Sequence, residues 1–399
     1  MDLETYCERL ATLAVEVGAN VQNDQIVAIS YAPGMDQLVH AIARKAYERG
    51  AKFVDPFVFD GNIKRIRLET AREDTLEFVP EWWGQRVLGL GENKAARIAI
   101  APTPDPGVLA GIDPERAGKD DLPFVKETPI LIKDRSTNWT IVPYPTPGWA
   151  TKVHPDLGPD EALQKLLDQL AHILRLDEDD PSAAWQARGD ELIGVGTRMT
   201  ELRFDAIRLR GEGTDLKVGL FHGSKWVAAR NHTAWGCQHY ANLPSEEIFT
   251  TPDPTRTEGK VTATKPLDVS GALIEGLKVS FERGRVTRID ADSGADVLRG
   301  RVAKDDGASR LGELALVDRA GRIAETGSVF FNTLLDENAA SHIALGSAYR
   351  DAVEESHWGQ INDSQIHIDF MIGSPEVDVF GLDLEGNETP VLIGGDWQI

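Results

Sequence analysis

The sequence predicts two domains, an α/β domain with a parallel-type sheet followed by a β-rich α+β domain. In the first half, short apolar runs alternate with amphipathic runs, an order typical of parallel sheets with crossover helices. After residue 203 the runs become strand-like and glycines separate them. A length of 399 residues also exceeds what one ordinary core supports. We therefore expect domains at residues 1–190 and 191–399.

Each element of the first domain has its own local signal. Residues 25–31 form an apolar run that predicts a buried strand, and the apolar spacing of 37–49 predicts a helix ending at Gly50. Further runs predict strands at 52–59, 96–101 and 140–142 and helices at 160–174 and 182–202. No G-x-G-x-x-G or G-x-x-x-x-G-K-[ST] pattern occurs, so we expect a scaffold or dimerisation role rather than nucleotide binding.

The second domain begins with alternating runs at 204–209 and 217–221, which predict strands with one exposed face. More strand-like runs follow, separated by Gly271, Gly276, Gly284 and Gly294. We expect one helix among them, at residues 337–350, and a closing β-hairpin around residues 384–387. The pattern indicates a sheet-rich domain.

Charge and composition exclude several classes of partner. Forty-two basic against 64 acidic residues give a net charge of −22, which repels nucleic acid and anionic lipid. No apolar run approaches the roughly 20 residues of a membrane-spanning helix. The acidic first residues do not resemble a secretory signal, and Cys7 and Cys237 are expected to be free thiols. We therefore expect a cytoplasmic protein.

A histidine and an aspartate near the end of the chain give the first indication of a metal site. His367 and Asp369 flank a single isoleucine in a strand-like run, so both side chains should point to one face. An imidazole beside a carboxylate is a natural pair of ligands for zinc or a similar ion. By itself this short pattern is weak evidence.

A second group lies in the run that ends at Tyr349. Glu337 and His342 are five residues apart, so within the expected helix both side chains can face one ion. Tyr349, seven residues after His342, should project from the same side. The alternative is a helix N-cap with a histidine in an ordinary structural role.

Three more carboxylates lie in apolar surroundings. Glu313 is in the middle of a strand-like run, where an unpaired buried carboxylate is costly and needs a cation or strong donors. Glu246 and Glu247 lie in a turn bounded by Pro244 and Pro252. Surface acids are the ordinary alternative for this pair, but its apolar flank favours a buried role.

Together these motifs resemble the M29 family of metallopeptidases, the thermophilic aminopeptidase T type. The similar strings, in matching order and rough spacing, are N-L-P-S-E-E-I-F-T-T-P at 242–252, L-G-E-L-A-L-V at 311–317, L-L-D-E-N-A-A-S-H-I-A-L-G-S-A-Y at 334–349 and H-I-D at 367–369. The run G-E-G-T-D-L at 211–216 is similar as well. The first half of the chain resembles the family mainly in its length and in its alternation of predicted strands and helices.

The resemblance implies a metal-dependent aminopeptidase that binds two divalent ions per chain in the domain at 191–399. One ion would be held by Glu247 and His367, the other by Glu337 and His342, with Glu313 and Asp369 shared between them. Such donors suit zinc, cobalt or manganese. Two ions activate a water for attack on a peptide with a free N-terminus. The resemblance also implies a homodimer.

Two further residues are candidates for catalytic roles. Glu246, next to a ligand, is the candidate general base that carries a proton to the leaving amine. We prefer Glu247 over Glu246 as the ligand on spacing alone. Tyr349 lies where the family has a catalytic tyrosine and would donate a hydrogen bond to the developing oxyanion.

Two alternatives are open. Another two-metal hydrolase, a phosphatase or amidohydrolase, would use similar ligands, but phosphatases gather basic side chains and few Lys or Arg flank these motifs. A non-catalytic metal-binding scaffold would need neither Tyr349 nor Glu246, and structural zinc sites favour cysteine. The residues favour the peptide hydrolase.

Overall fold

The computed structural model describes residues 1–101, 107–109, 111–120, 122–123, 125–228, 230–269 and 272–399, with the backbone alone at 114, 268 and 272. This chain forms two compact units, residues 1–186 with 230–243 and residues 187–229 with 244–399. The expected division of the chain into a scaffold domain at residues 1–190 and a catalytic domain at residues 191–399 stays a prediction. Gly271, one of the glycines expected between strands, lies outside the described residues.

The first unit is an α/β fold on a parallel sheet, as predicted. Its four strands, in the spatial order β2-β1-β3-β4, are β1 (Ile26–Tyr31), β2 (Phe53–Val58), β3 (Ala96–Ala101) and β4 (Asn138–Pro143). Its helices are α1 (Leu3–Leu13), α2 (Asp36–Glu48), α3 (Gly61–Thr70), α4 (Glu81–Glu92), α5 (Pro114–Ala117), α6 (Thr128–Lys133), α7 (Pro147–Val153) and α8 (Pro159–Ile173). The strand and helix predictions for this unit are confirmed within a few residues.

The chain passes from the first unit into the second within one long helix, α9 (Pro181–Leu202). The strands β5 (Ala206–Gly211), β6 (Thr214–Leu220) and β7 (Val227–Ala228) follow in the second unit. The chain then returns to the first unit for the antiparallel pair β8 (Arg230–His232) and β9 (Gln238–Tyr240).

The rest of the second unit is mainly antiparallel sheet, as predicted. Its strands are β10 (Glu247–Thr250), β11 (Pro252–Thr262), β12 (Leu267–Val269), β13 (Ala272–Ile274), β14 (Lys278–Glu282), β15 (Arg285–Asp290), β16 (Leu311–Val317), β17 (His342–Gly346), β18 (His367–Met371), β19 (Asp378–Leu382), β20 (Glu388–Ile393) and β21 (Asp396–Trp397). Three short helices interrupt them, α10 (Ala295–Val302), α11 (Arg322–Glu325) and α12 (Thr333–Glu337). The predicted hairpin is confirmed as the β19–β20 pair.

Two large sheets organise this unit. One has five strands in the order β18-β17-β16-β10-β7, and the other has eight in the order β15-β14-β11-β6-β5-β19-β20-β21. Every residue of β16 and of β17 is buried. Both strands lie inside the five-stranded sheet with a neighbouring strand on each side, so their backbone groups are hydrogen-bonded. Their side chains are buried on both faces of the sheet.

The prediction of a helix at residues 337–350 is wrong. A short helix, α12, ends at Glu337, and His342 begins the strand β17, which pairs with β16 on one side and β18 on the other. A fully buried strand is apolar on both faces and lacks alternation, so its sequence cannot be told from a buried helix. Gly346 ends this strand at a φ of 110°, a value that L side chains rarely adopt.

No helix in the described ranges combines the length and the apolar character that crossing a membrane requires.

The structure corrects the expected position of the acid pair in one respect. Glu247 is the first residue of β10 rather than part of a turn.

One buried histidine in the first unit should make stability depend on pH. His239 is 3% exposed, and burial, with a smaller effect of His232, lowers its pKa from 6.5 to about 4. The folded state therefore favours the neutral ring. That contribution is present above pH 6.5 and is lost as the pH falls towards 4, with a size of up to about 3 kcal/mol.

We expect a His239→Leu variant to lose less unfolding free energy than the wild type between pH 7 and pH 4.5, measured by urea denaturation with a chelator present. His40→Leu, at an exposed position of α2, is the matched control and should follow the wild type. Equal pH dependence of all three proteins would contradict the assignment.

Candidate metal centre

Four neighbouring strands of the five-stranded sheet carry five of the six predicted ligands. Glu247 is on β10, Glu313 on β16, His342 on β17, and His367 and Asp369 are on β18. The motifs are separated by more than a hundred residues of sequence, from 247 to 369, and the sheet order alone makes them neighbours.

The strand register places all five side chains on one face. Glu313 lies opposite Ala344, and Ala344 lies opposite Asp369. His342 lies opposite Ala315, two residues after Glu313 in the same strand. Because cross-strand partners and alternate residues share a face, the ligands form one patch, and the two alanines leave room between them.

Short distances link the imidazoles to the carboxylates. Nε2 of His342 lies 3.1 Å from Oε2 of Glu247 and 3.9 Å from Oε1 of Glu313. Nε2 of His367 lies 3.3 Å from Oε2 of Glu313 and 3.4 Å from Oδ1 of Asp369. Two groups of ligand atoms result, Glu247 with Glu313 and His342, and Glu313 with His367 and Asp369, each with its atoms within 4.8 Å of one another. Glu313 belongs to both groups.

Backbone carbonyls orient both imidazole rings. Nδ1 of His342 is 3.1 Å from the carbonyl oxygen of Ala340, and Nδ1 of His367 is 2.8 Å from that of Ser347. With Nδ1–H donating to a carbonyl, each ring directs Nε2 towards the carboxylates, where a metal ion would take the place of the proton on that nitrogen. Metal-binding histidines are usually held by the other ring nitrogen in this way.

The protonation behaviour of the cluster follows from its buried negative charge. Burial, together with the Asp369 and Glu247 carboxylates, raises the pKa of Glu337 well above its usual range, and burial likewise raises the pKa of Glu313. Burial alone would lower the pKa of His342, but Glu247 outweighs it and raises that pKa to about 10. Asp369 similarly raises the pKa of His367 against the effect of burial. The cluster attracts positive charge.

These residues fit a divalent metal centre. Oε2 of Glu247 is buried and, among the described residues, has no hydrogen-bond partner, although Nε2 of His342 is only 3.1 Å away. A buried carboxylate oxygen and an imidazole nitrogen this close together could both bind one cation. Carboxylate and imidazole donors, with no thiolate among the cluster's members, match zinc, cobalt or manganese.

Glu337 lies at the edge of the cluster. It is the last residue of α12 and is outside the two groups of converging ligand atoms formed by the described residues. The effects of Asp369, Glu247 and His342 on its pKa nevertheless place it in the same electrostatic environment. Which ligands share an ion stays a prediction. The shortest approaches pair Glu247 with His342 at 3.1 Å and Glu313 with His367 at 3.3 Å, and Asp369 lies 3.4 Å from His367.

Tyr349 is also close to the cluster, although not on a helix. It lies three residues beyond β17, and its ring centroid is 5.1 Å from that of His367 in an edge-on arrangement. A second edge-on contact joins it to Phe249 at 5.8 Å. The side chain is 47% exposed, yet desolvation raises its pKa to about 12. The phenol is therefore protonated at neutral pH.

Glu246 has different surroundings from Glu247. It is completely buried, and its Oε2 accepts a 2.7 Å hydrogen bond from Nε of Arg188. Its backbone N–H donates to Oδ1 of Asn338 at 2.6 Å. The geometry therefore favours Glu247 as the ligand of the pair. The general-base role of Glu246 stays a prediction, and the ion pair favours its carboxylate form.

A cavity of about 310 Å³ opens beside His367 and Asp369. Its apolar wall is formed by Leu267, Val269, Ile366 and Ile368, and Arg301 adds a positive charge. Polar side chains, among them Thr333 and Gln365, form the rest of the lining, so the cavity offers both apolar and polar contacts to a small ligand.

Sequence reasoning missed the polar residues around the ligands. Arg188 lies in the middle of a long helix, and nothing in its local sequence distinguishes it from a surface arginine. Asp318 directly follows the buried strand β16, and Asn338 directly follows Glu337. Their adjacency to candidate ligands was the one available signal.

Comparison with known proteins gives the chain its relatives. Residues 3–397 match the family described as thermophilic metalloprotease (M29). Aminopeptidase T of Thermus thermophilus is 40% identical over 402 residues, 98% of each chain, and aminopeptidase AmpS of Bacillus subtilis is 34% identical over 413 residues, 99% of this chain and 100% of its own.

A solved structure agrees with the sequence relatives. Wild-type AmpT from Thermus thermophilus superimposes with a TM-score of 0.93 at 39% identity, covering 100% of both chains. This match confirms the predicted fold class, and the family match confirms the resemblance drawn from the motifs. The chain therefore belongs to the M29 family of metalloproteases and is a metal-dependent peptide hydrolase.

Proposed function

We propose that this protein is an aminopeptidase that removes N-terminal residues from peptides at a centre of two divalent ions. The observation that carries the proposal is the pair of ligand groups on one sheet face, with Glu313 common to both. A carboxylate between two groups is suited to bridge two ions. The aminopeptidase names of the curated relatives support the same activity.

The residues that would hold the ions are four carboxylates and two imidazoles: Glu247, Glu313, Glu337, His342, His367 and Asp369. When bound, two divalent ions polarise the scissile carbonyl and lower the pKa of an attacking water. The protein supplies a rigid buried sheet that fixes the donors before the substrate arrives. Zinc, cobalt and manganese are all compatible with this donor set.

The acidic surroundings suit a substrate amine. The cluster brings several carboxylates together, and one of them, Asp369, lines the 310 Å³ cavity, so a free N-terminal amine entering there would meet a carboxylate acceptor. That contact would place the first peptide bond beside the reacting water and convert binding into positioning. The apolar wall next to His367 would receive a substrate side chain.

Two side chains complete the proposed mechanism. Tyr349, protonated because its pKa is raised to about 12, can donate a hydrogen bond to the oxygen that develops negative charge. Glu246 is the candidate general base that carries the proton to the leaving amine.

Three further proposals concern the whole protein, and of these the homodimer rests on the family resemblance. The first unit would be a scaffold and the second the catalytic unit, since the ligand residues all belong to residues 244–399. The protein would act as a homodimer in the cytoplasm. Sedimentation velocity on the purified chain distinguishes a dimer from a monomer.

The first prediction concerns the number of ions. Metal analysis of the dialysed protein should give about two equivalents per chain, because the ligand set exceeds the roughly four donors that one ion needs. A chelator should remove both metal and activity, and cobalt or zinc should restore them. A stable content of one ion with full activity would contradict the two-metal centre.

The second prediction concerns Tyr349. A Tyr349→Phe variant should keep both ions but lower kcat by about 10²–10³, with a smaller change in KM, because the lost hydrogen bond forms mainly in the transition state. Tyr47→Phe, at a comparably exposed position in the first unit, is the control and should have wild-type kinetics. An unchanged kcat in Tyr349→Phe would leave that residue a packing role.

The third prediction tests the substrate class. Metal-loaded protein should release N-terminal residues stepwise from a short free peptide and leave the N-acetylated peptide intact, because acetylation removes the amine and adds bulk. Mass spectrometry follows the products, and a phosphate monoester is included as a third substrate. Equal cleavage of the acetylated peptide would indicate an endopeptidase or amidase, phosphate release another hydrolase, and inactivity with every metal a binding scaffold.

A further inference from the structure

A buried arginine lies behind the candidate ligands. Arg188, on α9, is 5% exposed, and its guanidinium contacts three carboxylates of the second unit. Nε donates to Glu246 at 2.7 Å, and one terminal nitrogen donates to Glu191 at 2.9 Å. Both terminal nitrogens also donate to Asp318. All three guanidinium nitrogens therefore donate hydrogen bonds to carboxylates.

The two buried partners of Arg188 flank the strands that carry ligands. Glu246 directly precedes β10, and Asp318 directly follows β16. These strands are antiparallel, and Glu247 lies opposite Val317. Glu246 and Asp318 are therefore the next residues at the same end of the strand pair, and a single guanidinium joins them.

Without Arg188, this end of the strand pair would hold two buried carboxylates of like charge. Glu246 is 0% and Asp318 is 6% exposed, so water cannot compensate their repulsion. The bidentate contact with Asp318 and the contact with Glu246 satisfy both charges in one fixed geometry. A buried ionic cluster of this kind adds little net stability over apolar packing, so its distinctive contribution is to fix positions.

A hydrogen bond also connects Glu246 to the residue that follows a third candidate ligand, Glu337. The backbone N–H of Glu246 donates to Oδ1 of Asn338 at 2.6 Å, and Asn338 directly follows Glu337. Asn338 in turn donates from Nδ2 to the carbonyl oxygen of Leu334, within α12. The position of Glu246 thus affects both the start of β10 and the end of α12.

We infer that Arg188 is a positioning residue of the metal centre, which holds Glu247 and Glu313 in place by joining the ends of β10 and β16. The inference rests on the proposed metal site. Arg188 contacts the residues beside the ligands rather than the ligands themselves. Its removal should therefore weaken and distort metal binding in a protein that still folds. Partners that orient metal ligands commonly contribute 10–100-fold to metal affinity.

Cobalt binding to the metal-free full-length protein provides the test. We expect Arg188→Met to raise the Kd for Co²⁺ by about 10–100-fold and to change the visible absorption spectrum of the bound ion. Arg188→Lys should have a smaller effect, because it keeps the charge but loses the fork. Arg198→Met is the matched control, since Arg198 lies on the same helix, is 56% exposed and faces only Glu201 at 3.8 Å among the contacts described.

Folding is checked by circular dichroism and thermal unfolding of each metal-free variant. If Arg188→Met does not fold, Arg188→Lys and Asp318→Asn decide the question, because the first keeps the buried positive charge and the second keeps the size of the side chain. Unchanged Kd and spectrum in the folded variants would overturn the inference alone. A wild-type protein that binds no Co²⁺ would overturn the proposed function, and this inference with it.

Discussion

Buried negative charge is the constraint on which this site depends. Glu313, Asp369 and Glu247 converge on the inner face of a sheet, where ionised carboxylates are costly without cations. The imidazoles of His342 and His367 offset part of that charge, as their raised pKa values indicate. The remainder is negative charge of the kind that a bound metal ion compensates.

The sheet provides the rigidity that such a site requires. The ligands come from four adjacent strands whose backbones are tied by the β-ladder, so their relative positions are fixed by register. Backbone carbonyls then fix the ring orientation of the two histidines. Ala315 and Ala344 leave space where larger side chains would fill the centre of the patch. Geometry is thus set at each level before any ion or substrate binds.

A second group of charged side chains lies beside the first and contains its own cation, Arg188. The guanidinium of Arg188 pairs with Glu246, Asp318 and Glu191. The carboxylates of the candidate metal centre are instead proposed to bind metal ions. Consecutive residues, Glu246 and Glu247, belong to the two groups. The acidic composition of the chain, with its net charge of −22, therefore includes carboxylates with distinct local tasks.

The sequence alone determined the features that depend on local spacing and on chemical type. Alternation placed His367 and Asp369 on one face, and the apolar run around Glu313 indicated a buried carboxylate that needs a partner. The parallel and antiparallel sheets followed from the periodicity of each half.

Only the tertiary structure decided that His342 begins a strand and not a helical turn, because a fully buried strand has no alternation to reveal it. It also decided the different surroundings of Glu246 and Glu247 and the contacts of Arg188 with Glu246 and Asp318. Those contacts join residues 58 and 130 positions apart, and pairings over such separations follow from packing and strand register, which local sequence does not encode.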